Sequence, residues 1–237
     1  MPLPPLRRAV RRLLSGRPLP PVVRAVQADG LTYLDDGALC DLYEAVQALE
    51  ARGAPGVLIE AGCALGGSAI VLAAAKAPTR PLQVYDVFGM IPPPGAEDEA
   101  DVHARYEEIR SGRSRGIGGR PYYGYEEDLL GTVRANFRRH GFDPEAHAVT
   151  FVEGLFQDTL HPDGPVALAH IDGDWYESVM TCLERIVPQL IPGGTLVIDD
   201  YDHWSGCRKA VDAYFADKRD RFAFVERSRL HVVRREG

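Results

Sequence analysis

The chain has 237 residues and a formal net charge of −7, with 34 acidic side chains against 27 basic ones. That length fits one large α/β domain around a single core, and the acidic balance excludes general nucleic-acid binding, which needs a cationic surface. No apolar run reaches the roughly 20 residues of a membrane span, and the start, Met1-Pro-Leu-Pro-Pro-Leu, lacks the features of a signal peptide. The four cysteines (Cys40, Cys63, Cys182, Cys207) form no Cys-x-x-Cys pair and read as reduced thiols of a cytoplasmic protein.

Residues 1–35 form an N-terminal extension. Its first 24 residues carry six arginines and no acid, and Leu6 to Leu14 suits a short basic amphipathic helix. Such a helix packs on its own domain or on a second subunit more often than on an anionic surface. Asp35 or Asp36 caps a helix over about 37–52, with Leu39, Leu42, Val46 and Leu49 on one face. Val57-Leu-Ile-Glu-Ala-Gly reads as the first strand, followed by a helix from near Gly66, and Leu82-Gln-Val-Tyr-Asp-Val as the second strand. An insertion over 88–124 follows, rich in proline, glycine and charge. Its Ile117, Tyr122, Tyr123 and Tyr125 argue for an ordered lid with one short helix near 100–110. Then come a helix at 126–140, strands at 149–154 and 166–172, a helix at 177–190, a strand at 195–199 and a helix at 206–218. A hairpin of 222–226 with 229–234 closes the chain. Strands alternating with helices predict a doubly wound, mostly parallel, seven-stranded sheet in one domain.

The chemistry gathers at the predicted strand ends. Asp172, in His170-Ile-Asp-Gly-Asp-Trp, and Asp199-Asp200 each follow a short apolar run. In a parallel sheet those positions border the ligand crevice. Acids after strands are also common solvated turn formers. Carboxylates gathered at one edge, however, repel one another unless a proton or cation intervenes, and oxygen ligands suit Mg²⁺.

The turn Glu60-Ala-Gly62-Cys-Ala-Leu-Gly66-Gly-Ser68 lets backbone approach a ligand and opens a helix beyond it. Its spacing differs from the Gly-x-Gly-x-x-Gly of dinucleotide folds, and its leading acid favours a cationic ligand such as S-adenosylmethionine. A tight ligand-free turn fits the same residues. Asp86 ends the second strand where an acid can hold two ribose hydroxyls. Gly154-Leu-Phe156-Gln157 ends the third, where Phe156 and Gln157 can flank an adenine.

With Leu190-Ile-Pro-Gly-Gly-Thr-Leu, these motifs resemble the macrocin O-methyltransferase family, bacterial enzymes that methylate sugar hydroxyls of macrolide and aminocoumarin natural products. Its marks here are Glu60-Ala-Gly-Cys-x-x-Gly-Gly-Ser, Gly154-x-Phe-Gln-Asp-Thr-Leu, His170-Ile-Asp-Gly-Asp-Trp-Tyr-Glu-Ser and Asp199-Asp-Tyr-x-x-Trp-x-Gly-Cys. The resemblance runs from about residue 30 to the C-terminus. It implies a class I methyltransferase fold, S-adenosylmethionine as donor, Mg²⁺ dependence and a homo-oligomer. It also implies that Asp172, Asp199 and Asp200 are the metal ligands.

The acceptor implied is a sugar hydroxyl of a natural product or of its nucleotide-sugar precursor; the alternatives are a phenol or catechol acceptor and a non-catalytic nucleotide-binding scaffold. Catechol-type relatives place a lysine after the first metal aspartate, where this chain has Trp175-Tyr176. Asp172 is the first choice of proton acceptor, with His203 in reserve. Tyr176 and Trp204 are candidates for the acceptor pocket, and His170, inside a strand, reads as a core residue.

Overall fold

The computed structural model describes residues 18–236, so the arginine-rich Leu6–Leu14 stretch lies outside the described part. Helix α1 (Pro21–Ala28) starts on a proline, whose missing N–H is not needed in a first turn. Of the two candidate caps, Asp35 serves α2 (Asp36–Ala51): its Oδ1 accepts from the Ala38 N–H at 2.8 Å. Leu39, Leu42, Val46 and Leu49 of α2 are buried, as their spacing predicts.

Strands β1 (Val57–Ala61), β2 (Leu82–Asp86), β3 (Val149–Glu153), β4 (Val166–Ile171) and β5 (Leu190–Ile198) run parallel. After β6 (Phe222–Glu226), β7 (Leu230–Arg234) returns antiparallel between β6 and β5. The order is β3-β2-β1-β4-β5-β7-β6, the seven-stranded, mostly parallel arrangement expected. Helices α3 (Gly67–Ala75), α5 (Leu129–Arg139), α7 (Tyr176–Ile186) and α8 (Ser205–Phe215) cover it. One apolar cluster joins Leu39 and Leu42 of α2, Ile70 of α3 and Phe137 of α5. A second joins Val179 and Leu183 of α7 to Phe215 of α8. Every residue of β4 is buried, which is why its apolar run carries no alternation.

Two boundaries moved furthest. β5 starts at Leu190 and not Thr195, because Leu190 pairs with Val166 before a register shift. The 177–190 helix stops at Ile186 and gives way to a 3₁₀ turn, Val187–Gln189, around Pro188. A four-residue helix, α6 (Phe156–Thr159), follows β3, too short to leave a periodic signal.

The insertion 88–124 contains α4 (Ala100–Arg110), where a helix was expected, and 3₁₀ turns at Ile117–Gly119 and Tyr123–Tyr125. From β1 the chain lays strands first to one side and then, from β4, to the other. The crevice therefore opens beyond the C-terminal ends of β1 and β4.

Candidate active site

At that switch point the two strand ends touch. Gly62 adopts φ +87°, and a Cβ there would stand 2.0 Å from the Asp172 carbonyl oxygen, so only glycine fits. The Asp172 N–H donates to the Ala61 carbonyl and the Gly62 N–H to that of Tyr85, both at 2.8 Å. A cavity opens above this junction. Gly62, Asp86, Phe156, Gln157 and Asp172 line it, joined by Cys63, Asp174 and Ser178. The insertion contributes Ile91, Pro92, Tyr122 and Tyr123 to the same walls.

Asp86 is fixed by two backbone donors, Cys63 N–H to Oδ2 at 2.8 Å and Phe88 N–H to Oδ1 at 2.7 Å. Burial raises its pKa, and these hydrogen bonds work against that rise. Each carboxylate oxygen keeps a further lone-pair direction for a ligand hydroxyl. Gly154 is not a wall of the cavity; at φ +139° its N–H donates to the Asp86 carbonyl at 3.0 Å, tying the ends of β2 and β3.

Glu60, Gly66 and Ser68 are placed differently from the ligand contacts their motif suggests. Glu60 is fully buried; Ser68 Oγ donates to its Oε1, and His170 Nδ1 lies 3.1 Å from its Oε2. Gly66, at φ +90°, caps α3 and packs against Val133 and Phe137. None of these three residues is among the cavity walls.

His170 is more than a core residue. It lies between Glu60 and Asp199, with Nε2 3.7 Å from Asp199 Oδ1, and Arg229 Nε donates to that same oxygen at 2.6 Å. Burial alone would lower the His170 pKa, but Glu60 and Asp199 outweigh it and push it well up. Burial would raise Asp199, yet His170 and Arg229 hold its carboxyl below the usual range. Glu60, His170, Asp199 and Arg229 thus form one run of alternating acidic and basic side chains.

The remaining carboxylates have no such balance. Oxygens of Asp172, Asp174 and Asp200 lie within 4.8 Å of one another, close enough to share one cation. Burial first, and then neighbouring carboxylates, push Asp172 and Asp200 well up, and Asp174 up to about 6. Asp200 Oδ2 is sealed from solvent with no hydrogen-bond partner. Buried polar atoms are rarely left so, and an all-oxygen set of this spacing fits a hard divalent ion.

The acidic group the structure assembles is therefore Asp172, Asp174 and Asp200, with Asp199 beside it but engaged by Arg229. Asp174 sits at φ +53°, a strained conformation for a non-glycine residue. The sequence offered Asp174 only as the second acid of Asp-Gly-Asp, and no pattern forecasts that backbone.

His203 is exposed; its backbone N–H donates to the Asp200 carbonyl at 2.9 Å, and its ring is not part of the cavity wall. Tyr176 and Trp204 are half-buried beside the walls, and neither lines the cavity itself. The Trp204 ring meets Trp175 edge to face at 5.8 Å, and Lys209 lies over the Tyr176 ring at 5.6 Å.

A sheet of this order, with a glycine turn after β1 and acids ending β2, β4 and β5, defines a class I methyltransferase. The macrocin O-methyltransferase (TylF) family profile matches residues 26–221, and the chain belongs to that family. It is 38% identical over 207 residues to 8-demethyl-8-(2,3-dimethoxy-alpha-L-rhamnosyl)-tetracenomycin-C 4'-O-methyltransferase of Streptomyces olivaceus, covering 85% of this chain and 71% of that one. With mycinamicin III 3''-O-methyltransferase of Micromonospora griseorubida it shares 32% identity over 188 residues, 74% of this chain and 66% of the relative. The solved O-methyltransferase NovP superposes with a TM-score of 0.72 at 26% identity, over 87% of this chain and 82% of that one. Among the described residues no helix is long and apolar enough to cross a membrane.

Proposed function

We propose that this O-methyltransferase moves the methyl of S-adenosylmethionine to a sugar hydroxyl of a natural-product glycoside or its nucleotide-sugar precursor, with Mg²⁺ held by Asp172, Asp174 and Asp200. The observation that carries the metal is the orphaned Asp200 Oδ2 among three uncompensated carboxylates. The sugar acceptor is supported by the two relatives, whose names place a methyl on sugar positions.

In this reading Asp86 accepts from the ribose hydroxyls of the donor, Phe156 and Gln157 flank its adenine, and the bare Gly62 admits its methionine end. Mg²⁺ held there would supply a Lewis acid that makes an acceptor hydroxyl easier to deprotonate. Asp172 takes the hydroxyl proton on a carboxylate oxygen, because it lines the cavity while His203 stands outside it. The oxygen–carbon bond forms as the sulfur–carbon bond breaks, leaving S-adenosylhomocysteine. Tyr122 and Tyr123 keep water from the reacting atoms. Holding both reactants in line supplies on the order of 7–11 kcal/mol of barrier lowering when the geometry is near-attack.

The test is methyl transfer from labelled S-adenosylmethionine to a rhamnosyl glycoside, a nucleoside-diphosphate rhamnose and a catechol, each with EDTA and with Mg²⁺ restored. Transfer to a sugar that EDTA stops and Mg²⁺ restores is expected. Transfer indifferent to EDTA removes the metal, and transfer to the catechol alone replaces the acceptor.

A further inference from the structure

The two loops that carry the acidic group are each followed by a helix, α7 after Asp172–Trp175 and α8 after Asp199–Trp204. The insertion reaches both helix starts with one buried carboxylate. Asp98, 7% exposed, stands just before α4. Its Oδ1 accepts from the N–H of Tyr176, the first residue of α7, at 2.8 Å, and its Oδ2 from the N–H of Gly95 at 2.9 Å. The same Oδ1 presses on the first turn of α8, where a Cβ on Gly206 would come within 2.1 Å of it. Only a glycine there leaves room for the carboxylate, and an anion belongs at helix starts, whose free N–H groups carry partial positive charge.

Three more fastenings flank it. Asp101 accepts from Ser205 N–H at 3.1 Å and Ser205 Oγ–H at 2.5 Å. The Trp175 indole N–H donates to the Pro92 carbonyl at 2.9 Å. Lys209 Nζ pairs with Glu97 Oε2 at 2.8 Å.

We infer that Asp98 is a positioning residue: wedged between the starts of α7 and α8, it sets the spacing of the two aspartate loops and makes docking of the insertion a condition for cation binding. The cation part rests on the function proposed above. Asp98 is neither a wall of the cavity nor a member of the acidic group, and its hydrogen bonds go to Tyr176 and Gly95, so the effect of its loss on ion affinity travels through the helix starts.

The experiment compares wild type with Asp98→Ala and Asp98→Asn in three readouts. Mn²⁺ binding is titrated calorimetrically without donor or acceptor. Tryptic cleavage is timed at the exposed Arg110, Arg113 and Arg115 of the insertion. Turnover is followed against Mg²⁺ concentration. Thermal melting certifies the fold, and if the alanine variant does not fold, the asparagine variant, which keeps one acceptor, is read alone. We expect Mn²⁺ affinity to fall at least tenfold and tryptic cleavage to quicken at least fivefold. S-adenosylhomocysteine affinity should change less than threefold, and excess Mg²⁺ should restore most of kcat. Folded variants with Mn²⁺ affinity and cleavage both within twofold of wild type overturn the inference. If wild type itself binds no Mn²⁺, the metal reading fails on its own, and the cleavage rates alone decide whether Asp98 docks the insertion.

Discussion

Arg229, in the turn between β6 and β7, donates from Nε to Asp199 Oδ1 at 2.6 Å, across the antiparallel edge of the sheet. The last hairpin thereby neutralises one of two adjacent aspartates and leaves the other, Asp200, with an unpartnered oxygen. Two neighbours of identical chemistry acquire different tasks from their surroundings alone.

Removing the guanidinium strands a buried carboxylate, since the two side chains are only 13% and 9% exposed. Arg229→Ala should cost about 3 kcal/mol of unfolding free energy, the usual loss when one member of a buried pair is deleted. Urea melts of the two proteins, with the slope unchanged, measure it.

Asp200→Asn should behave in the opposite sense without metal. Burial and neighbouring charges raise the Asp200 pKa, so its ionised form destabilises the folded chain at neutral pH. In EDTA the variant should melt roughly 2–4 °C above wild type, about 1 kcal/mol for a protein of this size. Saturating Mg²⁺ should stabilise wild type and not the variant. A variant that melts lower than wild type in EDTA contradicts the charge argument.

Asp174→Asn and Asp199→Asn separate the two possible ligand sets. With Asp172, Asp174 and Asp200 as ligands, the first substitution should weaken Mn²⁺ binding about tenfold or more. The second should chiefly lower the melting temperature, because it leaves Arg229 without its close carboxylate and His170 with Glu60 alone. Calorimetric titration of both variants gives the answer, and equal weakening would return Asp199 to the first coordination sphere.

Gly62→Ala combines a backbone at φ +87° with a Cβ 2.0 Å from the Asp172 carbonyl. A loss on the order of 3 kcal/mol is expected from strain and forced separation of β1 from the Asp172 loop. Activity should fall further than stability accounts for, which assays well below the melting temperature can establish.

His231, 3% exposed in β7, has an Nε2 with no hydrogen-bond partner, and burial followed by the Arg227 charge lowers its pKa to about 4. The unfolded chain therefore binds this proton at higher pH than the folded one. Its contribution is present above pH ~6.5 and is lost progressively towards pH 4, up to about 3 kcal/mol. His231→Gln should flatten the slope of stability against pH in that window. A slope equal to wild type's assigns the acid sensitivity elsewhere.

The frame of this protein was readable because its signals are local. Val57-Leu-Ile and Leu196-Val-Ile are apolar runs cut off by acids, and the Leu39-to-Leu49 stripe repeats at helical spacing. Asp86, Gly62, Phe156 and Gln157 follow from their places at strand ends, and the structure puts all four on the cavity wall. What escaped depends on distance or on backbone. Glu60 gives no sign of its partner His170, which lies 110 positions away. Arg229 gives no hint, in a hairpin, that it will meet Asp199. Asp174 needed a positive φ that a non-glycine residue rarely takes. His203 follows Asp200 closely in sequence, yet the turn between them leaves it exposed.

Ile171 and Ile198, the residues before Asp172 and Asp199, are register partners in neighbouring parallel strands. The roots of the two reactive loops thus stand one ladder spacing apart, about 4.8 Å in any sheet. Residues 113–124 lie outside that ladder, and Tyr122 and Tyr123 among them reach the cavity wall. A chimera that exchanges this stretch with a relative's should change the molecule that is methylated while the donor and the ion it uses stay the same.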